Sequence, residues 1–239
     1  MGDKAAKDRR MKRIGILGGM GPESTITYYQ HMVRTYHERF HDYAFPEIII
    51  CSVSFQRFID LFEAGRWDDV AHEAVQGLSR LHRAGADFGI LASNTLHIAF
   101  ERIEQQSSLP LIGMMDPVVE AIRADGLNTV GLLGTAFTMR AVLYRDRLLC
   151  ENVETLLPDR KDQERIHEII ASELTAGVTK EESKEVFLQV MDGLRRRGAQ
   201  GLILGCTEIP LLVSQRECDL RLFDTVRLHA QRALDHALA

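Results

Sequence analysis

Along this chain, short apolar runs ending in glycine or small polar residues alternate with longer stretches of 3.6-residue period. That is the pattern of strands alternating with amphipathic helices. Arg13 to Gly18 (RIGILG) predicts a first buried strand, and Gly18, Gly19 and Gly21 its loop. Pro22-Glu23-Ser24-Thr25 then opens a helix that runs to about Phe40. Both leading residues suit a first turn, since proline has no N–H to lose there and a carboxylate faces the positive end of the helix dipole. Glu47 to Val53 predicts a second strand, followed by a polar turn holding Ser54 and Gln56. Trp67 to about Ala84 reads as a helix with Gly85 as its cap. Ile90-Leu91-Ala92 lies in a third strand, Asn94 to about Gln106 continues as loop and helix, and Leu109 to Met114 is a fourth strand.

After Asp116-Pro117, which caps and starts a helix, the pattern begins again. Thr129 to Thr135 (TVGLLGT) repeats the first strand, with Ile14, Gly15, Ile16, Leu17 and Gly18 falling on Val130, Gly131, Leu132, Leu133 and Gly134. The same shift lays Tyr28 on Tyr144. Asn152 to Leu156 predicts a strand, Arg165 to Ala176 and Glu181 to Arg197 helices, and Gly201 to Leu204 a strand. Leu220 to Asp224 makes a last strand, and Thr225 to the end a last helix. A second alignment, without a gap, lays Arg83–Thr95 (RAGADFGILASNT) over Arg196–Glu208 (RRGAQGLILGCTE). Gly85 then falls on Gly198, Ile90 on Ile203, and Ser93 on Cys206.

Alternating strands and helices imply parallel sheets with helices on both faces. The repeat sharpens this to an α/β fold of two pseudo-symmetric domains, each a parallel sheet flanked by helices, with the active site in the cleft between them. The first domain is expected over 13–115 and 218–239, the second over 116–217, with the junction near Ile112 to Pro117 and residues 1–12 as a disordered leader. On this reading the terminal strand and helix return to the first domain. Ligands in open α/β sheets bind beyond the carboxyl ends of the strands. The loops Gly18–Gly21, Ser93–Thr95, Gly134-Thr135 and Cys206–Glu208 are therefore expected around the cleft.

Composition changes this picture little. The 239 residues, 45% hydrophobic and 26% charged, are those of an ordinary globular protein. A net charge of -5 with interspersed signs argues against a nucleic-acid or anionic-membrane partner. No apolar run approaches the roughly 20 residues needed to span a bilayer, and the charged first ten residues lack the apolar core of a signal peptide, so a cytoplasmic location is expected. The loop Gly15–Gly21 (GILGGMG) fits neither GxGxxG nor a Walker loop, and the nine histidines show no metal-ligand spacing. Neither a nucleotide nor a metal is expected. Among Cys51, Cys150, Cys206 and Cys218 there is no CxxC pair. Cys51 follows Ile48-Ile49-Ile50 as a core residue would, Cys150 ends a helical pattern, and Cys218 lies among polar residues. Only Cys206, after a buried strand and a glycine, sits where chemistry is expected.

Racemising an α-carbon without a cofactor takes a base on one face and a proton donor on the other, the two exchanging roles for the mirror-image substrate. A pseudo-twofold scaffold supplies two such positions. Cysteine suits the task because helix N-termini and neighbouring donors lower a thiol's pKa from about 8.5. Backbone N–H groups at the same N-termini can hold a substrate carboxylate and the enediolate charge that develops as the proton leaves.

From about Arg13 to the C-terminus the chain resembles the aspartate/glutamate racemase family, which is independent of pyridoxal phosphate. The resemblance rests on Ile14–Thr25 (IGILGGMGPEST), on Ser93-Asn94-Thr95-x-His97, on Gly205-Cys206-Thr207-Glu208, and on the closing Phe223-Asp224-Thr225. It implies an isomerase acting on a small amino acid, aspartate or glutamate, with no cofactor, and copies paired as homodimers. It also implies Cys206 as a catalytic thiol and Ser93 as its counterpart, where the common family pattern has Cys-Asn-Thr. Some relatives carry a hydroxyl there, and a serine is a weaker acid and a poor base, so rate is expected to suffer. His97, four residues on, is a candidate to help it, or else a packed histidine. Met20 and Gln56 sit where the family places substrate contacts. Asn94, Thr95, Thr135 and Thr207 follow from the repeat as donors to carboxylates. Arg57 stands near one place where some aspartate racemases carry a basic residue, but Thr175 stands near the other. Glu208 either orients backbone at a helix start or modulates Cys206. Two further readings stand beside the racemase: a single-cysteine relative such as a malonate-type decarboxylase, and an inactive protein that binds an acidic amino acid.

Overall fold

The computed structural model describes residues 11–239. Its eight strands form two parallel four-stranded sheets, ordered β2-β1-β3-β4 and β6-β5-β7-β8, so the internal repeat of the sequence is a repeat of topology. The chain groups into two compact units. Among the described residues, unit 1 holds 11–92, Ala99–Gly113 and His229–Ala239; unit 2 holds Ser93–Ile98 and Met114–Leu228. Of the expected leader, residues 1–10 lie outside the described residues, and the backbone N–H of Lys12 donates to the Ala237 carbonyl at 3.0 Å. No helix among the described residues is long and apolar enough to cross a membrane.

In unit 1 the central strand β1 (Ile14–Gly18) is buried at every position, which is why its sequence is an unbroken apolar run. It pairs in parallel with β2 (Ile48–Ser52) and with β3 (Phe88–Leu91), and β3 with the short β4 (Leu111–Ile112). Gly19, at φ +95°, turns the chain from β1 into helix α1 (Pro22–Phe40), and a Cβ there would lie 2.6 Å from the Val53 carbonyl oxygen. Its N–H donates to Thr25 Oγ1 at 2.8 Å, so the buried threonine of the first helical turn holds the loop. Tyr28, Met32 and Tyr36, spaced by four, are the buried stripe of α1. The expected polar turn after β2 is instead a helix, α2 (Phe55–Glu63), with Phe58 and Phe62 buried one turn apart. Helix α3 (Trp67–Arg83) opens on Asp68 and Asp69 and closes on Arg80, His82 and Arg83, as the helix dipole favours. Helix α4 (Phe100–Gln106) precedes β4.

Unit 2 is built around β5 (Thr129–Gly134), flanked by β6 (Glu154–Leu156) and β7 (Gly201–Gly205), with β8 (Arg221–Asp224) beside β7. Here the sequence expectation is corrected. The closing strand stays in the second sheet, because each repeat supplies its own fourth strand, and only the chain from His229 onward groups with unit 1. Alternation along β7 divides the core into two layers. Leu202 and Leu204 pack with α8 (Arg160–Ser172) and α9 (Glu181–Arg196), while Ile203 packs with α5 (Met115–Ala124) and α7 (Val142–Leu149). Helix α8 begins earlier than the apolar pattern suggests, because Asp159 caps it by accepting from the Asp162 N–H at 2.9 Å. A short α6 (Ala136–Arg140) follows β5, a one-turn α10 (Ile209–Leu212) follows β7, and α11 (Thr225–Leu238) closes the chain.

Candidate active site

Two equivalent strands of the repeat release their chains into polar, buried loops. After β3 come Ser93, Asn94 and Thr95, and after β7 come Cys206, Thr207 and Glu208; all six side chains are buried. All six belong to unit 2. A hydrogen-bond chain ties the first loop to the strand that carries the second. The Tyr144 hydroxyl donates to Asn94 Oδ1, Asn94 Nδ2 donates to Thr225 Oγ1 at 3.0 Å, and Thr225 Oγ1 donates to the Leu204 carbonyl at 2.9 Å. Thr95 Oγ1 lies 3.3 Å from Thr135 Oγ1, which in turn accepts from the Thr138 N–H at 3.2 Å as the cap of α6.

Cys206 is 6% exposed, and its Sγ donates to Glu208 Oε2 at 3.0 Å. Thr207 Oγ1 donates to the same carboxylate oxygen at 2.5 Å. Burial and the adjacent Glu208 charge push the Cys206 thiol well above its ordinary range, while the backbone N–H groups of Glu208 and Thr207 pull the other way. The expected lowering by a helix N-terminus is therefore reversed, first by burial and then by the adjacent carboxylate, and α10 is only a single turn. Burial likewise raises the Tyr144 phenol, with the neighbouring Cys206 adding to the effect.

His97 is buried, and both ring nitrogens are engaged with backbone. The Met114 N–H donates to Nε2 at 3.1 Å, so Nδ1 carries the proton and donates to the Ser93 carbonyl at 2.8 Å. Burial lowers its pKa to about 4, partly countered by the Ser93 bond. It is a neutral imidazole pinning the backbone of Ser93 to Met114, which leaves neither nitrogen to serve the Ser93 hydroxyl as a base. Ser93 Oγ accepts from the Leu96 N–H at 3.4 Å, a long capping contact over the 3-10 turn Thr95–Ala99.

A family model described as Asp/Glu/Hydantoin racemase matches residues 17–233. The chain belongs to that family. It is an amino-acid racemase, an isomerase. A crystal structure of a candidate Asp/Glu racemase from Yersinia pestis is 36% identical, covering 96% of this chain and 100% of that one, with a TM-score of 0.87. An aspartate racemase homologue from Pyrococcus horikoshii is 33% identical over 95% of this chain and 99% of its own, with a TM-score of 0.81. A broad-specificity amino-acid racemase of Bacillus subtilis is 22% identical over 95% of this chain and 98% of its own.

Within this racemase fold, Ser93, Asn94, Thr95, Thr135, Cys206 and Thr207 fall in unit 2. Met20 and Gln56 fall in unit 1. Met20 is buried after β1, whereas Gln56 is exposed in the first turn of α2 and donates to Asp60 Oδ1 at 2.7 Å. The exposed Arg57 is paired with Glu73, and Thr175 donates to the Ala171 carbonyl at 2.8 Å. Among the described residues no group of three or more His, Cys, Asp or Glu side chains is placed to hold a metal ion. Sequence reasoning missed the parts of Thr225, Tyr144 and Thr138. Signals for the first two were present, Thr225 closing the Phe223-Asp224-Thr225 motif and Tyr144 being the repeat of Tyr28, but nothing in the sequence says which partners they meet.

Proposed function

We propose that this protein racemises an acidic amino acid, aspartate or glutamate, with Cys206 and Ser93 acting on opposite faces of the α-carbon and no cofactor taking part. The observation that carries this reading is the buried hydrogen-bond chain from Asn94 through Thr225 to Leu204, which couples the Ser93 loop to the strand delivering Cys206. Cys206 takes the α-proton of the L-enantiomer as a thiolate, and the Ser93 hydroxyl delivers a proton to the other face; the D-enantiomer runs the sequence in reverse. Thr95, Thr135, Asn94 and Thr207 are the proposed donors to substrate carboxylates, with Met20 and Gln56 as further contacts. The developing enediolate is stabilised by backbone N–H groups at the ends of the strands. A serine is the weaker partner, so Ser93 limits the rate. Because enantiomers have equal free energy in water, it limits both directions in the same ratio.

Exchange of the α-proton in D2O, with chiral analysis over a panel of amino acids, tests this. Cys206→Ala is expected to lower exchange roughly 10²- to 10⁴-fold, and Ser93→Cys to raise turnover. Wild-type exchange in Cys206→Ala would remove the thiol from the mechanism. Loss of carbon dioxide from a malonate-type acid without racemisation points to the single-cysteine decarboxylase, and binding without exchange to an inactive binding protein. A wider substrate range is the second reading. It is favoured by the broad-specificity relative and by the absence of any buried Lys or Arg among the described residues. Comparable turnover of neutral amino acids in the same panel would select it. Copies are proposed to pair, and light scattering at twice the mass of one chain would support that.

A further inference from the structure

Tyr144 is the repeat-mate of Tyr28, and the two buried phenols are put to different use. In unit 1 the Tyr28 hydroxyl donates to His229 Nδ1 on the closing helix, at 2.8 Å. In unit 2 the Tyr144 hydroxyl reaches the loop after β3 and donates to Asn94 Oδ1. A buried phenol needs a partner wherever it lies, but any backbone carbonyl would serve; here the partner is a side chain of the candidate site. The direction of every bond in this chain is fixed by its last acceptor. The Leu204 carbonyl can only accept, so the Thr225 hydroxyl spends its hydrogen there, at 2.9 Å. Thr225 Oγ1 then receives a hydrogen from Asn94, which turns the amide nitrogen to Thr225, at 3.0 Å, and the amide oxygen to Tyr144. That oxygen can only accept in its turn. The Tyr144 hydrogen therefore goes to it rather than to Met114 Sδ, a weaker acceptor 3.7 Å away. One hydrogen of the Asn94 amide is left over, which no acceptor among the described residues takes.

We propose that Tyr144 is a positioning residue, whose hydroxyl locks the Asn94 amide in the orientation that presents its remaining N–H to a substrate carboxylate. This deepens the racemase reading, in which Asn94 is such a donor, and rests on it. Turned over, the amide would set its oxygen against the Thr225 oxygen, whose own hydrogen is committed to Leu204. Thr225 thus opposes the turn, and Tyr144 holds the end that would otherwise swing. Without the Tyr144 hydroxyl the amide oxygen is buried with no donor, and the amide gains by leaving its place to find one. Because the Tyr144 hydrogen is spent on Asn94, the hydroxyl is not a donor to the Cys206 sulfur. The protonation of the thiol therefore does not depend on it.

Exchange of the α-proton of L-aspartate in D2O, measured over substrate concentration and pH, separates this role from a structural one. Tyr144→Phe removes only the oxygen. It is expected to raise KM about ten-fold, with kcat within about three-fold of the unsubstituted protein and the pH profile unmoved. Asn94→Ala is expected to raise KM at least as far, and Tyr144→Phe to add nothing further in that background. An unchanged KM in a Tyr144→Phe protein with the native circular dichroism spectrum overturns the proposal, as do effects of the two substitutions that multiply. So does a shifted pH profile in Tyr144→Phe, which would give the hydroxyl to Cys206. A check on the unsubstituted protein does not depend on how a variant at 144 folds. One side-chain amide hydrogen of Asn94, followed by NMR, is expected to shift on saturation with L-aspartate while its partner hardly moves; two unmoved hydrogens overturn the proposal. If L-aspartate binds without exchanging its α-proton, the racemase reading fails, and the same pattern read in Kd instead of KM upholds the role of Tyr144.

Discussion

His97 shows how a residue placed by a motif can act through backbone rather than through chemistry. Its folded pKa of about 4 lies below the ordinary 6.5. The neutral ring is thus a source of stability fully present above pH 6.5 and lost as pH falls from there toward 4, where the folded protein must also protonate it. The linked loss is about 3 kcal/mol over that window, and urea denaturation at a series of pH values measures it. His97→Leu is expected to be less stable at neutral pH and to lack that acid-dependent segment. Thr225→Val tests the neighbouring chain of bonds. It keeps the shape but removes the donor to the Leu204 carbonyl and the acceptor of the Asn94 amide, at an expected cost of about 1–3 kcal/mol. Because Ser93 precedes Asn94, the same variant should slow α-proton exchange while leaving Cys206 in place. Equal exchange in Thr225→Val and the unsubstituted protein would mean that this chain of bonds supports the fold without aligning the site.

At the scale of elements, the repeat extends to the way each long helix hands over to its strand. Gly85 after α3 and Gly198 after α9 both adopt positive φ, +96° and +102°. In each case the next residue's N–H reaches five residues back, Ala86 to Leu81 and Ala199 to Leu194. An alanine at Gly198 meets no atom within 4 Å, so Gly198→Ala should cost only the left-handed backbone, about 1 kcal/mol. At Gly85 the added Cβ would lie 2.8 Å from Arg13 Nη1 and disturb the Arg13–Asp87 pair, so Gly85→Ala should be the more destabilising. Thermal unfolding of the two variants checks the order. The strand–helix alternation, the caps and the glycine turns were legible because each depends on residues close in sequence. Helix α2 was not legible although Phe55, Phe58 and Phe62 carry a helical spacing, because polar Ser54 and Gln56 at its start equally suit a turn. The start of α8 was missed because a capping aspartate carries no hydrophobic period.

For the whole molecule, the terminal helix decides which residues complete unit 1. His229 accepts from the Tyr28 hydroxyl at 2.8 Å and donates from Nε2 to the Ile112 carbonyl at 2.8 Å, and Ala230, Ala233, Leu234 and Ala237 are buried. A chain ending at Leu228 is expected to lose hydrogen-exchange protection first in β1 and β3, while β5 and β7 retain it. Uniform loss across both sheets would show that the two units unfold together.

The sequence by itself determined the α/β class, the twofold repeat, the two equivalent strands and the polar residues that follow them, because these are properties of local period and turn chemistry. Tertiary structure alone decided that β8 stays beside β7, that His97 is spent on two backbone groups, that Gln56 is turned to Asp60, and that Thr225 links Asn94 to Leu204. It also decided the state of Cys206. A thiol after such a strand can have its pKa lowered by a helix end or raised by burial and a carboxylate; here burial raises it, and Glu208 Oε2, 3.0 Å from the sulfur, adds to that. The rotamer that sets such a distance is chosen by the burial of the loop within the folded chain, and no pattern along the sequence records it.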